Sequence, residues 1–357
     1  DLCRYIESVE PIIKAVKEEG DRALVGFARE FDRAELTPDA IKVRSEEFEK
    51  AFESVEDDVV EAIRFAADSI RVFHEGQLPE PMRMNEVRPG VFCGEKVNPI
   101  PSVACYVPRG KGSFPSVVMM TTIPAVVAGV PKVCILTPPG PDGRVDEATL
   151  VAARQAGVEE IYKSGGAQAV AAAAYGTATI PKFDKIVGPG SPWVVAAKRL
   201  LADEIDPGTP AGPSESIVFA DHTADGRLAA LDLIIESEHG PDSSAFLVTN
   251  SMEVADRAIE AIPNYWQSLG ETRKKFSTAV LDGPHGGVVL ALDEDACIRF
   301  INDYAPEHLM IHSREPFKYL GAIKHAGEIL LGQHTPLTLG NYVLGPNAVL
   351  PTSAAAR

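Results

Sequence analysis

No run of eighteen apolar residues occurs in the 357-residue chain, which excludes a membrane-spanning helix. Basic residues are in short supply: 34 Lys and Arg face 51 Asp and Glu, for a formal net charge of −17. That sign argues against a nucleic-acid partner, whose phosphates reward a basic surface. A local pocket can still differ in sign from the whole, so a small substrate is not excluded. Cysteine is scarce and unpatterned. Cys3, Cys93, Cys105, Cys134 and Cys297 form no Cys-x-x-Cys, so neither a disulfide scaffold nor a zinc ribbon is indicated. Buried free thiols in a reducing cytoplasm are the expectation. The G-x-G-x-x-G dinucleotide fingerprint is missing, as are heptads, repeats and low-complexity linkers. The opening DLCRYIESVEPIIKAVKEEGD is charged and amphipathic, unlike a signal peptide.

What is present is the composition of a globular protein, 45% hydrophobic and 24% charged, long enough for two domains. Residues 9–30 and 45–75 read as amphipathic helices, with Val59, Ile63, Ala66, Ile70 and Phe73 at three- and four-residue steps. His74 closes the second, where a cation suits the helix dipole, and reads as structural. Residues 80–100 are rich in Pro and Arg, and VFCGEKVNPIPSVACYV gives two strands. From Ser113, a candidate cap with Pro115 in the first turn, helices and strands alternate. The segment EPFKYLGAIKHAG is the last expected helix. Strands alternating with helices of this length predict an α/β fold with a parallel sheet covered on both faces.

Four stretches carry chemistry. In Ala305-Pro306-Glu307-His308-Leu309 a carboxylate and an imidazole are adjacent, and Pro306 favours a turn from which both can reach one site. An imidazole titrates near neutral pH, and a carboxylate can hold a proton or activate a water. In Glu236-Ser237-Glu238-His239-Gly240 a Glu-x-x-His pair leaves one helix face and can chelate a divalent metal; a solvated helix end is the alternative. Three glycine-rich turns, Gly165-Gly166-Ala167-Gln168, Gly188-Pro189-Gly190-Ser191 and Ala211-Gly212-Pro213-Ser214, flank strands and point to a ligand crevice at strand carboxyl ends. Residues 335–352 form a long Pro- and Gly-punctuated loop in which Asn341 is a candidate contact.

The pieces YVPRGKGSFPSVVMM, GGAQAVAAAAYGT, KIVGPGSPWVVAAKR, PAGPSES, ESEHGPDS, NDYAPEHL and GNYVLGPNAVLPT, in this order and spacing, resemble the histidinol dehydrogenase family along most of the chain. The resemblance implies two Rossmann-like domains, each discontinuous: 1–105 plus 215–306, and 106–214 plus 307–353, the latter on the NAD side. It implies a homodimer that uses NAD and zinc to oxidise an alcohol through an aldehyde to an acid. Carried over, Glu307 and His308 fall on the catalytic pair, His308 as base for the hydroxyl and Glu307 as activator of water. Tyr106, Gln168, Gly188, Gly190 and Ser191 fall on the NAD side. Ser214, Glu236, His239 and Asn341 fall on the substrate side, the last three also on metal-ligand positions.

Departures from the family pattern accompany the matches. Glu236 stands where the family has a glutamine ligand and Asn341 where it has an aspartate. Ala348 stands where the motif has a histidine, Ser191 where an asparagine contacts NAD, and Arg109 where glycine is usual. The family also has a helical C-terminal segment that reaches the partner subunit and supplies a further zinc-ligand histidine and a substrate-contacting glutamate; the 357 residues end before it. Three readings follow. The first is NAD- and metal-dependent oxidation of a small polar alcohol by a divergent paralogue whose substrate need not be histidinol. The second is a true L-histidinol dehydrogenase of the last steps of histidine biosynthesis. The third is a non-catalytic ligand-binding homologue.

Overall fold

The computed structural model describes residues 2–109 and 112–357, with side chains from Arg4 onward, so the Cys3 thiol and the motif residues Gly110 and Lys111 lie outside the described residues. Among the described residues no helix is long and apolar enough to cross a membrane. The chain divides into one unit of Asp1–Gly208 with Tyr342–Val349 and another of Thr209–Asn341 with Leu350–Arg357.

In the first unit, α1 (Leu2–Glu19) and α2 (Asp21–Phe27) replace the single helix expected over 9–30. The break is Gly20, whose φ of 57° ends one helix and starts the next. The span 45–75 likewise divides into α3 (Ser45–Ser54) and α4 (Asp57–Glu75), because Val55 is extended between them. Next come β1 (Met82–Arg88), β2 (Val91–Lys96), β3 (Ser102–Tyr106), α5 (Pro115–Val127), β4 (Lys132–Thr137), α6 (Glu147–Ala156), β5 (Ile161–Lys163), α7 (Gly166–Tyr175), β6 (Lys185–Val187) and α8 (Pro192–Leu200). Strands β3 to β6 form a parallel sheet in the order β5-β4-β3-β6. Its period-two alternation feeds two cores. Ala104 and Tyr106 pack with α1, α7 and α8, while Val103 and Cys105 pack with helices α3 to α6.

The second unit contains β7 (Glu215–Ala220), α9 (Gly226–Ser237), β8 (Ser244–Thr249), α10 (Met252–Ser268), α11 (Glu271–Leu281), β9 (Gly286–Leu290), α12 (Glu294–Tyr304), β10 (His308–His312) and β11 (Glu328–Leu331). Its sheet is also parallel, in the order β11-β10-β7-β8-β9. Val218 and Met310 face one core, and Ile217, Phe219, Leu309 and Ile311 the other. In both sheets the first strand is central, the next two run outward on one side, and the fourth crosses to the other side. This is the doubly wound pattern, with a crevice where the order reverses.

Several expectations change. Strand β10 pairs with β7 and β11 with β10, so residues 307–341 lie with 209–306, while residues 1–105 lie with 106–208 rather than with 215–306; neither expected division, at 105/106 or at 306/307, is the one formed. Only a short turn, Pro316–Tyr319, forms where a helix was expected over 315–327; Gly321 follows it. Ser113 does not cap α5, whose cap position is Phe114; its hydroxyl donates to Asp146 at 2.6 Å instead. Cys105, Cys134 and Cys297 are buried free thiols, but Cys93 is exposed on the β1–β2 hairpin. His74 is buried, in line with its structural reading, but desolvation pushes its pKa down, against the cationic form that the helix dipole favours.

Candidate active site

Helix α12 ends at Ala305, which takes the left-handed conformation (φ 57°, ψ 64°) while its N–H closes the last turn on the Ile301 carbonyl at 2.8 Å. Pro306 cannot continue the helix, and β10 begins two residues later at His308. Glu307 and His308 therefore leave the backbone from a turn into a strand, as their spacing predicted. Both are buried. His308 Nε2 lies 3.6 Å from Glu307 Oε1, and His308 Nδ1 lies 2.9 Å from Glu328 Oε2. Glu307 Oε2 accepts the Glu215 N–H at 3.3 Å.

Burial raises the Glu307 carboxyl to about 7, helped by the negative charges of Glu236 and Glu215 and opposed by His308. Burial alone would lower His308. The hydrogen bond to Glu328 and the charges of Glu307, Glu236 and Glu328 outweigh it and raise the ring to about 9. The two groups titrate together, and both are held towards their protonated forms around neutral pH. That is the range in which acid–base work is done.

Glu236 lies in the last turn of α9, but the helix stops at Ser237, so His239 sits just beyond the end and is exposed. His239 Nδ1 is 2.9 Å from the Ile235 carbonyl and 3.2 Å from that of Glu236. A carbonyl only accepts, so Nδ1 carries the proton, and the neutral ring keeps a lone pair on Nε2. Both Glu236 carboxylate oxygens are buried without a hydrogen-bond partner, and so is Asn341 Oδ1. Orphaned oxygens and an imidazole with a backbone-fixed tautomer are what a metal-ligand set requires. Among the described residues no group of three or more His, Cys, Asp or Glu could hold a metal, so the carboxylate and imidazole side chains here do not complete a metal site by themselves. Ser214 is half-buried, and its carbonyl accepts the Ser244 N–H at 2.9 Å.

In the first unit, the expected NAD-side residues meet where the strand order reverses, at the carboxyl ends of β3 and β6. The Tyr106 hydroxyl accepts the Gly166 N–H at 3.0 Å, and Gln168 is buried in the first turn of α7. Gly188 has φ 109°, and a Cβ there would run into the Tyr106 carbonyl. The buried Lys198 ammonium donates to the Gly188 carbonyl at 2.8 Å, which anchors the loop carrying Gly190. Ser191 occupies the cap position of α8 without a side-chain capping bond. Arg109 donates to the Arg144 carbonyl at 3.2 Å and is exposed, which suits a rim position. Ala348 packs against the first unit's second core.

Sequence reasoning missed Glu328, Glu215, Lys198 and the buried pair of His312 and Asp232, whose Nε2 and Oδ2 are 2.8 Å apart. Glu328 had one available signal: a carboxylate heading the otherwise apolar strand Glu328–Leu331.

A model of the family described as histidinol dehydrogenase matches residues 1–357. A Cereibacter sphaeroides protein named histidinol dehydrogenase homolog is 63% identical over 100% of this chain and 81% of its own length. A Synechocystis protein named histidinol dehydrogenase is 50% identical over 100% of this chain and 82% of its own. The crystal structure of histidinol dehydrogenase from Elizabethkingia anophelis superimposes with a TM-score of 0.93 at 35% identity, covering 100% of this chain and 80% of that one.

Proposed function

The chain belongs to the histidinol dehydrogenase family, and from that premise we propose that it oxidises L-histidinol through the aldehyde to the acid with NAD. The observation that carries this reading is the buried Glu307–His308 pair at the start of β10. The expectation of a different substrate rested on Glu236, Asn341 and Ala348. A relative named histidinol dehydrogenase at 50% identity supports histidinol instead. The same relative speaks against a non-catalytic homologue.

Family membership carries NAD and zinc with it. Tyr106, Gln168, Gly188, Gly190 and Ser191 would hold NAD, and Glu236, His239 and Asn341 would hold zinc, with Ser214 on the substrate. When bound, NAD supplies a hydride acceptor and zinc a Lewis acid for the hydroxyl oxygen. The exchanged ligand identities preserve one carboxylate and one amide, and the orphaned oxygens of Glu236 and Asn341 fit such a group.

The chain's own residues do the proton work. His308, in its neutral form, accepts the substrate's hydroxyl proton on Nε2 as the carbinol hydrogen leaves as hydride. Glu307, whose carboxyl is raised to about 7, takes a proton from the water that attacks the aldehyde. Burial of both groups excludes bulk water from competing for those protons. His308→Asn keeps the shape and removes the base. NADH formation from L-histidinol should then drop by about 10²–10⁴-fold, and retained turnover would remove His308 from this role.

A homodimer is part of the same proposal. Its support is the β1–β2 hairpin, which is exposed along its whole length and displays Met82, Met84, Val87, Val91 and Phe92. A lone two-stranded hairpin is marginal in water, so apolar side chains on both strands favour a covering partner. Light scattering on the wild type and on Phe92→Asp tests it. A dimer that persists unchanged in the variant argues against the hairpin.

A further inference from the structure

We infer that Glu328 is the positioning residue of His308, acting through the ring rather than on the substrate; the inference rests on His308 being the base. His308 and Glu328 are the first residues of β10 and β11 and are direct partners in the parallel ladder. The Glu328 N–H donates to the Glu307 carbonyl at 2.9 Å, so backbone pairing fixes the separation of the two side chains. Glu328 Oε2 then accepts from His308 Nδ1 at 2.9 Å in a buried setting. A proton held on Nδ1 leaves the Nε2 lone pair of the neutral ring on the side where Glu307 lies, 3.6 Å away.

Two further observations separate this from an incidental core ion pair. Glu328 Oε1 is buried with no hydrogen-bond partner, so among the described residues the imidazole is the one side chain that this carboxylate bonds. A Cβ at Gly340 would stand 3.2 Å from that oxygen, so glycine there gives the carboxylate room. A buried charge with one partner returns little stability, because desolvation offsets the attraction. Its return here is geometric: it sets which ring nitrogen carries the proton and where the other points, the role an orienting carboxylate has in other acid–base sites.

The test uses the full protein, L-histidinol, NAD and zinc, with Glu328→Gln, Glu328→Ala, His308→Asn and the double variant Glu328→Ala/His308→Asn. The Glu328→Ala kcat should fall about a hundredfold while the histidinol KM stays within about threefold. Glu328→Gln should lie between, since its amide oxygen can still accept from Nδ1. The double variant should be no slower than His308→Asn alone, because a residue acting through the ring loses its effect with the ring. Losses that multiply in the double variant, or a Glu328→Ala kcat near wild type, would overturn the assignment.

Wild-type protein that makes no NADH from L-histidinol would refute the substrate reading instead. The positioning role is then read from the ¹⁵N shifts of His308, identified by their loss in His308→Asn. The neutral ring should carry its proton on Nδ1 in wild type and lose that preference in Glu328→Ala; an unchanged tautomer would overturn the inference.

Discussion

Replacing Glu236 with Gln tests the metal assignment through stability, a readout independent of turnover, because losing the Glu236 charge also lowers the Glu307 and His308 midpoints. Both carboxylate oxygens of Glu236 are buried and have no hydrogen-bond partner. Leaving a buried polar group unpaired costs about 1–3 kcal/mol, and more for a charge. The isosteric amide removes the charge and keeps the shape, so the chelator-treated variant should be more stable than chelator-treated wild type by about 1–3 kcal/mol. At roughly 3 °C per kcal/mol for a unit of this size, that is a rise in Tm of about 3–9 °C. Zinc should act in the opposite sense. At a hundred times its Kd, a ligand that binds only the folded state adds about 2.7 kcal/mol, or roughly 8 °C for wild type. The variant, with a weaker ligand, should gain less. Differential scanning calorimetry with chelator and with zinc gives all four numbers. A variant that melts at or below wild type in chelator, with equal zinc shifts in both, would refute the reasoning.

Three more outcomes follow from the geometry. A base must be neutral to accept a proton, and the carboxylates around His308 raise it from 6.5 to about 9, so kcat should climb with pH above neutrality. A bound cation would pull that midpoint down, and a kcat that falls between pH 7 and 9 would contradict the assignment. The same shift has a stability sign: a raised imidazole contributes fully below 6.5 and loses its contribution as the pH passes about 9, which pH-dependent urea melts of wild type and His308→Asn can separate. Gly188→Ala forces a side chain into a positive-φ position against the Tyr106 carbonyl. Strain of about 1–3 kcal/mol in that loop should raise the KM for NAD roughly tenfold or more, with a smaller effect on kcat at saturating NAD.

The alternation of strands and helices was legible because each buried parallel strand is a short apolar run between helices of ten or so residues. The Glu307–His308 turn was legible from Pro306. What escaped was non-local. Glu328 reads as part of a strand until β11 is known to pair with β10, and the division at 306/307 failed for the same reason: pairing across a crossover leaves no mark in the local sequence. His74 shows the limit of a dipole argument, since a helix end that is buried favours the neutral ring whatever the dipole prefers. The span 315–327 has helical apolar spacing, yet only the turn Pro316–Tyr319 forms, with Gly321 just beyond it. Glu236 and His239 are spaced as a helical pair, but the helix ends between them, so the imidazole is set by a backbone carbonyl rather than by helix geometry.

The most direct measurement is the stoichiometry of NADH formed per L-histidinol by the full protein with NAD and zinc. Two hydride transfers, one from the alcohol and one from the hydrated aldehyde, predict two NADH for each histidinol consumed. A ratio of one would show that Glu307 does not carry the second step, and no NADH with zinc demonstrably bound would contradict histidinol as the substrate.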